Sequence, residues 1–161
     1  DIEFLRADLR EFRRPGAFDL AVNLFNSFGY FADPAQDLGM LRNIRESLKP
    51  GGRFVLEMLG KETAVRDFTE GEWFERNGWT VLTEYSVVGA WEGMRNRWIL
   101  IRGAERIERT FVQRLYSGTE MAALLARAGF GEVRILGSLD GAPYDRKAEG
   151  LVALAFPEGS G

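Results

Sequence analysis

The sequence predicts an α/β fold: a mostly parallel sheet with an antiparallel β meander inserted into it. Three observations predict it. Residues 18–25 (FDLAVNLF) form a near-continuous apolar run of strand length, as in a parallel-sheet strand covered on both faces. Residues 33–48 have the spacing of an amphipathic helix, and 53–59 (RFVLEML) form a second short apolar run, so the three segments make a βαβ unit. From Trp79 to Tyr116 the chain reads as extended, with turn signals near Glu92-Gly93 and Arg102-Gly103-Ala104, as antiparallel hairpins require.

Taken in order, residues 1–7 (DIEFLRA) read as a strand ending at Asp8, and a loop through Arg13, Arg14, Pro15 and Gly16 follows. The strand at 18–25 is bounded by Gly16 and Asn26-Ser27. Asp33 is the expected N-cap of the next helix, with Pro34 at its first position and Gln36 completing a capping box. Leu38, Leu41, Ile44 and Leu48 fall on one face, and Pro50-Gly51-Gly52 is expected to end the helix. Lys61 to Phe68 suits a short helix. Beyond the meander, Ser117 and Glu120 form a second capping box, Met121, Leu124, Leu125 and Ala128 make a buried stripe, and Gly129 is a natural stop. Strands at about 132–139 and 150–156 close the chain, joined by the polar loop Asp140 to Glu149, and the tail Pro157 to Gly161 is expected to fray.

Composition narrows the function. With 161 residues and 45% hydrophobic side chains the chain can bury one sizeable core, so 1–161 reads as a single domain with 79–116 as its insertion or lid. No apolar run approaches the roughly 18 residues of a membrane helix. The chain has no histidine and no cysteine. Disulfides, thiol nucleophiles, Ser-His-Asp mechanisms and Cys/His metal sites are therefore excluded, and no metal is expected. A net charge of −3 argues against a nucleic-acid partner. No signal-peptide pattern precedes the first strand, so the expected location is cytoplasmic.

Four features occur in a fixed order: Asp8-Leu9, FDLAVNLFNSFGYF (18–31), LKPGGRFVLEM (48–58) and LYSGTEMAALLARAGF (115–130). In this the sequence resembles the class I S-adenosylmethionine-dependent methyltransferases of the small-molecule type. The L-K-P-G-G-x-F element, set about 30 residues after F-D-L-A-V, is the specific part of the match. The resemblance implies a Rossmann-like, seven-stranded sheet of order 3-2-1-4-5-7-6 with an antiparallel seventh strand, of which this chain supplies the C-terminal part. Residues 1–7 would be strand three and 18–25 strand four. The family's glycine-rich cofactor turn and ribose-binding acid have no counterpart here, so the domain is expected to be incomplete at its N-terminus and 1–7 to lack a hydrogen-bonded neighbour.

The resemblance also implies roles. S-adenosylmethionine is the cofactor and S-adenosylhomocysteine the product. Asp8 would accept from the adenine amino group and the Leu9 amide would meet a ring nitrogen, while Asn23, Leu24 and Phe25 border the methionine part. Asn26, Phe28 and Tyr30 would wall the acceptor pocket. From the meander, whose arginines Arg95, Arg97, Arg102, Arg106, Arg109 and Arg114 make it locally basic, Arg114 and Tyr116 would be aimed at an anionic or polar small-molecule substrate. The alternative readings are a turn cap for Asp8, core packing for Phe25, and a solvated sheet face for the arginines. Lys49-Pro50-Gly51-Gly52 reads as the release from helix to strand rather than a binding loop. Methyl transfer needs orientation more than acid–base chemistry; if a base is required, Tyr116, Tyr144, Glu84 and Asp145 are the available types. The alternative function is a non-catalytic methyltransferase-like module that binds a partner or dimerises, and a homodimer is an expected assembly in either case.

Overall fold

The apolar run Phe18–Asn23 forms β1 and Leu48–Met58 forms β2, paired in parallel with Ala21 opposite Phe54 and Asn23 opposite Leu56. The structure, a computed structural model, describes residues 2–158. Between these strands runs α1 (Pro34–Ser47). Asp33 caps it: its carboxylate accepts from the Ala35 amide at 2.8 Å, satisfying one of the orphan donors of the first turn. The expected capping box is absent, because only the Gln36 backbone amide, bonded to the Asp33 carbonyl, takes part. Nor does Pro50-Gly51-Gly52 end the helix. It ends at Ser47, and these residues form the irregular start of β2, where the register against β1 shifts. The chain passes so close there that a Cβ on Gly52 would lie 2.9 Å from the Lys49 carbonyl oxygen and 3.1 Å from that of Phe18.

After the short α2 (Lys61–Arg66) come β3 (Gly71–Arg76), β4 (Trp79–Val88), β5 (Gly93–Arg102) and β6 (Glu105–Arg114), a four-stranded antiparallel sheet in sequence order. The meander thus begins one strand earlier than 79. Its first turn is Asn77-Gly78, with φ of 53° and 76°, the backbone that a two-residue hairpin turn of matching twist demands. α3 (Gly118–Arg127) follows with the Ser117/Glu120 capping box formed in both directions. The chain closes with β7 (Phe130–Leu136) and β8 (Leu151–Pro157).

The first sheet has the order β1-β2-β8-β7, with β8 antiparallel to both neighbours. Of its three pairings among the described residues only β1–β2 is parallel, so the sheet is mixed. One face carries the core. Leu41 from α1, Phe54 and Leu56 from β2, Met121 and Leu125 from α3, and Leu151 from β8 are all fully buried there. Each such side chain contributes about 1.5–3 kcal/mol relative to exposure.

The other face is open at β1, where Leu20 and Val22 are 52% and 56% exposed. Beyond β1 no strand continues the sheet among the described residues. Residues 2–7 are not a strand. They run as exposed coil, with Ile2 and Phe4 84% and 91% exposed, because no strand lies alongside to take their backbone hydrogen bonds. Asp1 and residues 159–161, the end of the expected frayed tail, lie outside the described residues.

The two sheets meet at Gly29. The Arg114 amide donates to the Gly29 carbonyl at 2.7 Å, and a Cβ on Gly29, whose φ is +92°, would lie 2.5 Å from the Arg114 carbonyl oxygen. Gly29→Ala should therefore destabilise the fold by about 1–3 kcal/mol. Gly39→Ala, inside α1 with open space around it, should stabilise it by about 0.5–1 kcal/mol. Urea unfolding midpoints at constant m-value measure both, and equal effects would contradict the close-approach argument.

Candidate functional site

β1 ends in a strained turn. Phe25 and Asn26 are consecutive non-glycine residues at φ of 57° and 60°, a backbone region that costs on the order of 1–3 kcal/mol for each. The surroundings hold it. The Phe25 amide donates to Glu57 Oε2 at 2.5 Å, and Asn26 Oδ1 accepts from the Leu59 amide at 2.5 Å and from Gln113 Nε2 at 3.2 Å. Gln113 Nε2 also reaches the Phe28 carbonyl at 3.2 Å, so the last strand of the meander and the end of β2 together fix the loop. The turn throws the Phe25 ring outward, 86% exposed.

That ring borders a cavity of about 530 Å³ between this loop, α2 and one face of the meander. Tyr30, Tyr85, Asn96, Trp98 and Phe111 stand in its wall. The register explains the set: Tyr85 lies opposite Asn96, and Asn96 opposite Phe111, so alternate residues of three strands converge on one face. Tyr30 packs against Phe111 at 5.8 Å between ring centroids, and burial raises the pKa of the Tyr30 hydroxyl. No lysine or arginine among the described residues lines this cavity. Its one carboxylate, Asp67, is held by Arg66 at 2.5 Å.

Arg114 and Tyr116 are placed elsewhere. Asp37 is fully buried in the first turn of α1, and its Oδ2 accepts from Arg114 Nη1 at 2.5 Å and from the Tyr116 hydroxyl at 2.8 Å. Arg114 also donates to the carbonyls of Phe31 and Ala32, each at 3.2 Å. Burial and the adjacent Asp37 carboxylate raise the Tyr116 pKa well above its ordinary value. These two side chains are therefore not aimed at a substrate in the cavity but tie the end of β6 to α1. Phe28 is likewise core, 1% exposed and packed on the Tyr116 ring. Others of the meander's arginines are placed on its opposite face. Arg97 is paired outward with Glu84 and Glu108 at 2.9 and 2.7 Å, on the face of the sheet opposite Asn96 and Trp98.

Asp8 and Leu9 border a separate open cleft of about 600 Å³ whose other wall includes Phe31. Asp8 opens a turn, its carbonyl accepting from the amides of Glu11 and Phe12, and its carboxylate is gripped by Arg10 at 2.6 and 3.0 Å. Hydrogen bonds from Arg10 hold its pKa down to about 2, so it is an anion at neutral pH. Arg10 in turn lies 5.7 Å from the Phe31 ring centroid. Asn23 faces α1, its Oδ1 buried and without a partner among the described residues, and Leu24 is half-buried.

The structure thus gathers Phe25, Asn26 and Tyr30 at one cavity and Asp8 and Leu9 at a neighbouring cleft. The 25–31 loop faces both, through Tyr30 on one side and Phe31 on the other. None of Tyr116, Tyr144, Glu84 and Asp145 lines the cavity. Burial and the partner Glu62, 2.8 Å away, push the Tyr144 pKa well up. Tyr85, Asn96, Trp98, Phe111 and Gln113 were not read from the sequence as site residues. Their signal is the alternation along 94–98, where Met94, Asn96 and Trp98 interleave with Arg95 and Arg97 and so separate an uncharged face from a charged one.

Comparison with protein-family models finds no match, and comparison with curated protein sequences finds none. Solved structures do match. The CcbJ methyltransferase from Streptomyces caelestis aligns over 94% of this chain and 62% of its own, with a TM-score of 0.78 at 15% identity. The sugar N-methyltransferase KedS8 from a Streptoalloteichus species aligns over 94% of this chain and 60% of its own, with a TM-score of 0.68 at 20% identity. CalS10, an amino pentose methyltransferase from Micromonospora echinaspora solved with S-adenosylmethionine bound, aligns over 92% and 62%, with a TM-score of 0.63 at 22% identity. The chain has the fold of the S-adenosylmethionine-dependent methyltransferases and spans less than two thirds of the length of these structures.

The buried Asp37 makes a direct prediction. Asp37→Asn leaves the Arg114 guanidinium, 21% exposed, without its counter-charge and should cost about 2–3 kcal/mol. Tyr116→Phe, which removes one hydrogen bond, should cost about 1 kcal/mol. Chemical denaturation measures both, and a loss below about 0.5 kcal/mol for Asp37→Asn would show that the pair does not hold the sheets together.

Proposed function

We propose that the protein transfers a methyl group from S-adenosylmethionine to a small-molecule acceptor. One observation carries the reading: the 25–31 loop borders both the Asp8/Leu9 cleft and the aromatic cavity, so a donor in one and an acceptor in the other would meet across it. The sheet order β1-β2-β8-β7, with β8 antiparallel, supports equating these strands with the 4-5-7-6 half of a seven-stranded sheet. The unpaired edge of β1 suits a position inside a wider sheet, and the exposed Leu20 and Val22 suit a further layer over that face. Residues 1–161 are taken as one domain in this reading, with the meander as the cover of the acceptor cavity.

The residues fit the cofactor. Asp8 is ionised, and a carboxylate has room to accept from an exocyclic amine as well as from Arg10. The adjacent Leu9 amide supplies a donor for a ring nitrogen, and the Phe31 ring stands on the other wall of the cleft. Asn23, Leu24 and Phe25, at the carboxyl end of β1, lie where sheets of this class bind ligands. When bound, S-adenosylmethionine supplies an electrophilic methyl: the acceptor's lone pair bonds to that carbon, the C–S electron pair returns to sulfur to give S-adenosylhomocysteine, and the acceptor sheds one proton.

The chain's own part is to orient the acceptor and exclude water. Phe25, Tyr30 and the meander face do both, and orientation alone can supply much of the barrier reduction in a displacement of this kind. The cavity offers no unpaired base: Asp67 is bound to Arg66 and burial keeps the Tyr30 proton on. That favours a neutral amine nitrogen as the attacking atom, since it needs no base before attack and loses its proton to solvent afterwards. The structural likeness to KedS8 and CalS10, described as a sugar N-methyltransferase and an amino pentose methyltransferase, agrees with an amine acceptor.

The test is calorimetric titration of the protein carrying this chain with S-adenosylmethionine. Asp8→Ala should weaken binding by about 1–3 kcal/mol through loss of a charged hydrogen bond. Unchanged affinity would remove Asp8 from the adenine site, and no binding by the parent would sink the reading.

A further inference from the structure

The meander has an open edge. β3 ends the sheet order β3-β4-β5-β6, and its other side pairs with no strand among the described residues. The Tyr85 amide donates to the Glu70 carbonyl at 2.8 Å, and this pair continues the register that sets Gly71 opposite Glu84. Backbone groups alternate in direction along an antiparallel strand. Glu72, Phe74 and Arg76 therefore bond to β4, while Trp73 and Glu75 turn their amides and carbonyls outward. A row of such groups is a template for a further strand.

The side chains say which strand fits. Glu72, Phe74 and Arg76 share one face of β3, with a carboxylate at one end and a guanidinium at the other. Neither is in an ion pair among the described residues, and the Glu72 carboxylate accepts only from the Tyr85 hydroxyl, at 3.3 Å. Charged residues guard many sheet edges by setting like charges against each other. This face does the reverse: an antiparallel copy presents Arg, Phe and Glu to its Glu, Phe and Arg. With Phe74 opposite Phe74, Glu72 lies opposite Arg76 twice, and Trp73 lies opposite Glu75, so the outward backbone groups meet. Moving the register by two residues sets Phe74 against Glu72 or Arg76, and moving it by one puts the outward groups out of step. Trp73, 69% exposed on the other face, becomes the diagonal neighbour of its own copy, within reach for aromatic rings.

We propose that two copies of this chain associate edge to edge through β3, antiparallel about a two-fold axis at Phe74, with the Glu72 carboxylate of each copy paired to the Arg76 guanidinium of the other. The two four-stranded sheets then run on as one. This goes beyond the methyl-transfer reading and does not rest on it.

The test is sedimentation equilibrium of the protein carrying this chain and of charge-reversed variants. Glu72→Arg and Arg76→Glu each set like charges opposite one another at both ends of the contact and should weaken self-association at least about tenfold. An equimolar mixture of the two variants restores both ion pairs between unlike chains, so it should recover association as a heterodimer, which also shows that both variants are folded. The double variant Glu72→Arg/Arg76→Glu should self-associate again, and it carries the test should a single variant not fold. In the unsubstituted dimer the Trp73 and Glu75 amides should exchange with deuterium more slowly than in the dilute monomer. An unsubstituted protein that stays monomeric up to about 1 mM would overturn the proposal. So would single variants that dimerise like the unsubstituted protein, or charge reversal at both positions that recovers no association.

Discussion

The arrangement depends on one buried ion pair. A carboxylate placed in the fully buried first turn of α1 must be paired, because an isolated charge there would be far costlier than any packing gain. Asp37 finds its cation at the far end of the chain's insertion, on Arg114, the last residue of β6. The guanidinium then reaches the carbonyls of Phe31 and Ala32 as well, so one side chain joins α1, the loop after β1 and the meander. The close approach of Gly29 to the Arg114 backbone sits beside the same pair.

With the sheets so joined, the rest of the site follows from register. Gln113 adjoins Arg114 and lies on the opposite face of β6, where it meets the turn at Asn26 and helps hold two left-handed residues. That turn presents Phe25 and leads to Tyr30, against which the inner face of β4, β5 and β6 sets Tyr85, Trp98 and Phe111. The same alternation sends Arg95 and Arg97 outward to water and to glutamates. Strand periodicity thus sets Arg95 and Arg97 away from the cavity, which lies beneath a locally basic segment yet has no lysine or arginine in its lining among the described residues.

Local signals were legible in the sequence. The Asp33 cap, the Ser117/Glu120 capping box and the buried stripe Met121, Leu124, Leu125 and Ala128 are where residue types alone would put them. Features that depend on partners distant in sequence were not. Residues 2–7 have the apolar content of a strand but no neighbour to pair with, and remain coil. The strand 71–76 was passed over although Asn77-Gly78 marks the hairpin that joins it to β4. Arg114 and Tyr116 carry the residue types of a binding site, yet only the fold shows that Asp37, nearly 80 positions away, claims both. Asp8 fits both readings offered for it, since it opens a turn and still holds an ionised carboxylate at a cleft.

The central claim is that the 25–31 loop separates a donor cleft from an acceptor cavity. The most direct measurement is a crystal structure of the protein carrying this chain with S-adenosylhomocysteine bound. The account predicts the adenine edge within hydrogen-bonding distance of the Asp8 carboxylate and the Leu9 amide, and the sulfur beside Phe25, open toward the cavity lined by Tyr30 and Trp98. The product bound away from Asp8, or its sulfur shut off from that cavity, would contradict it.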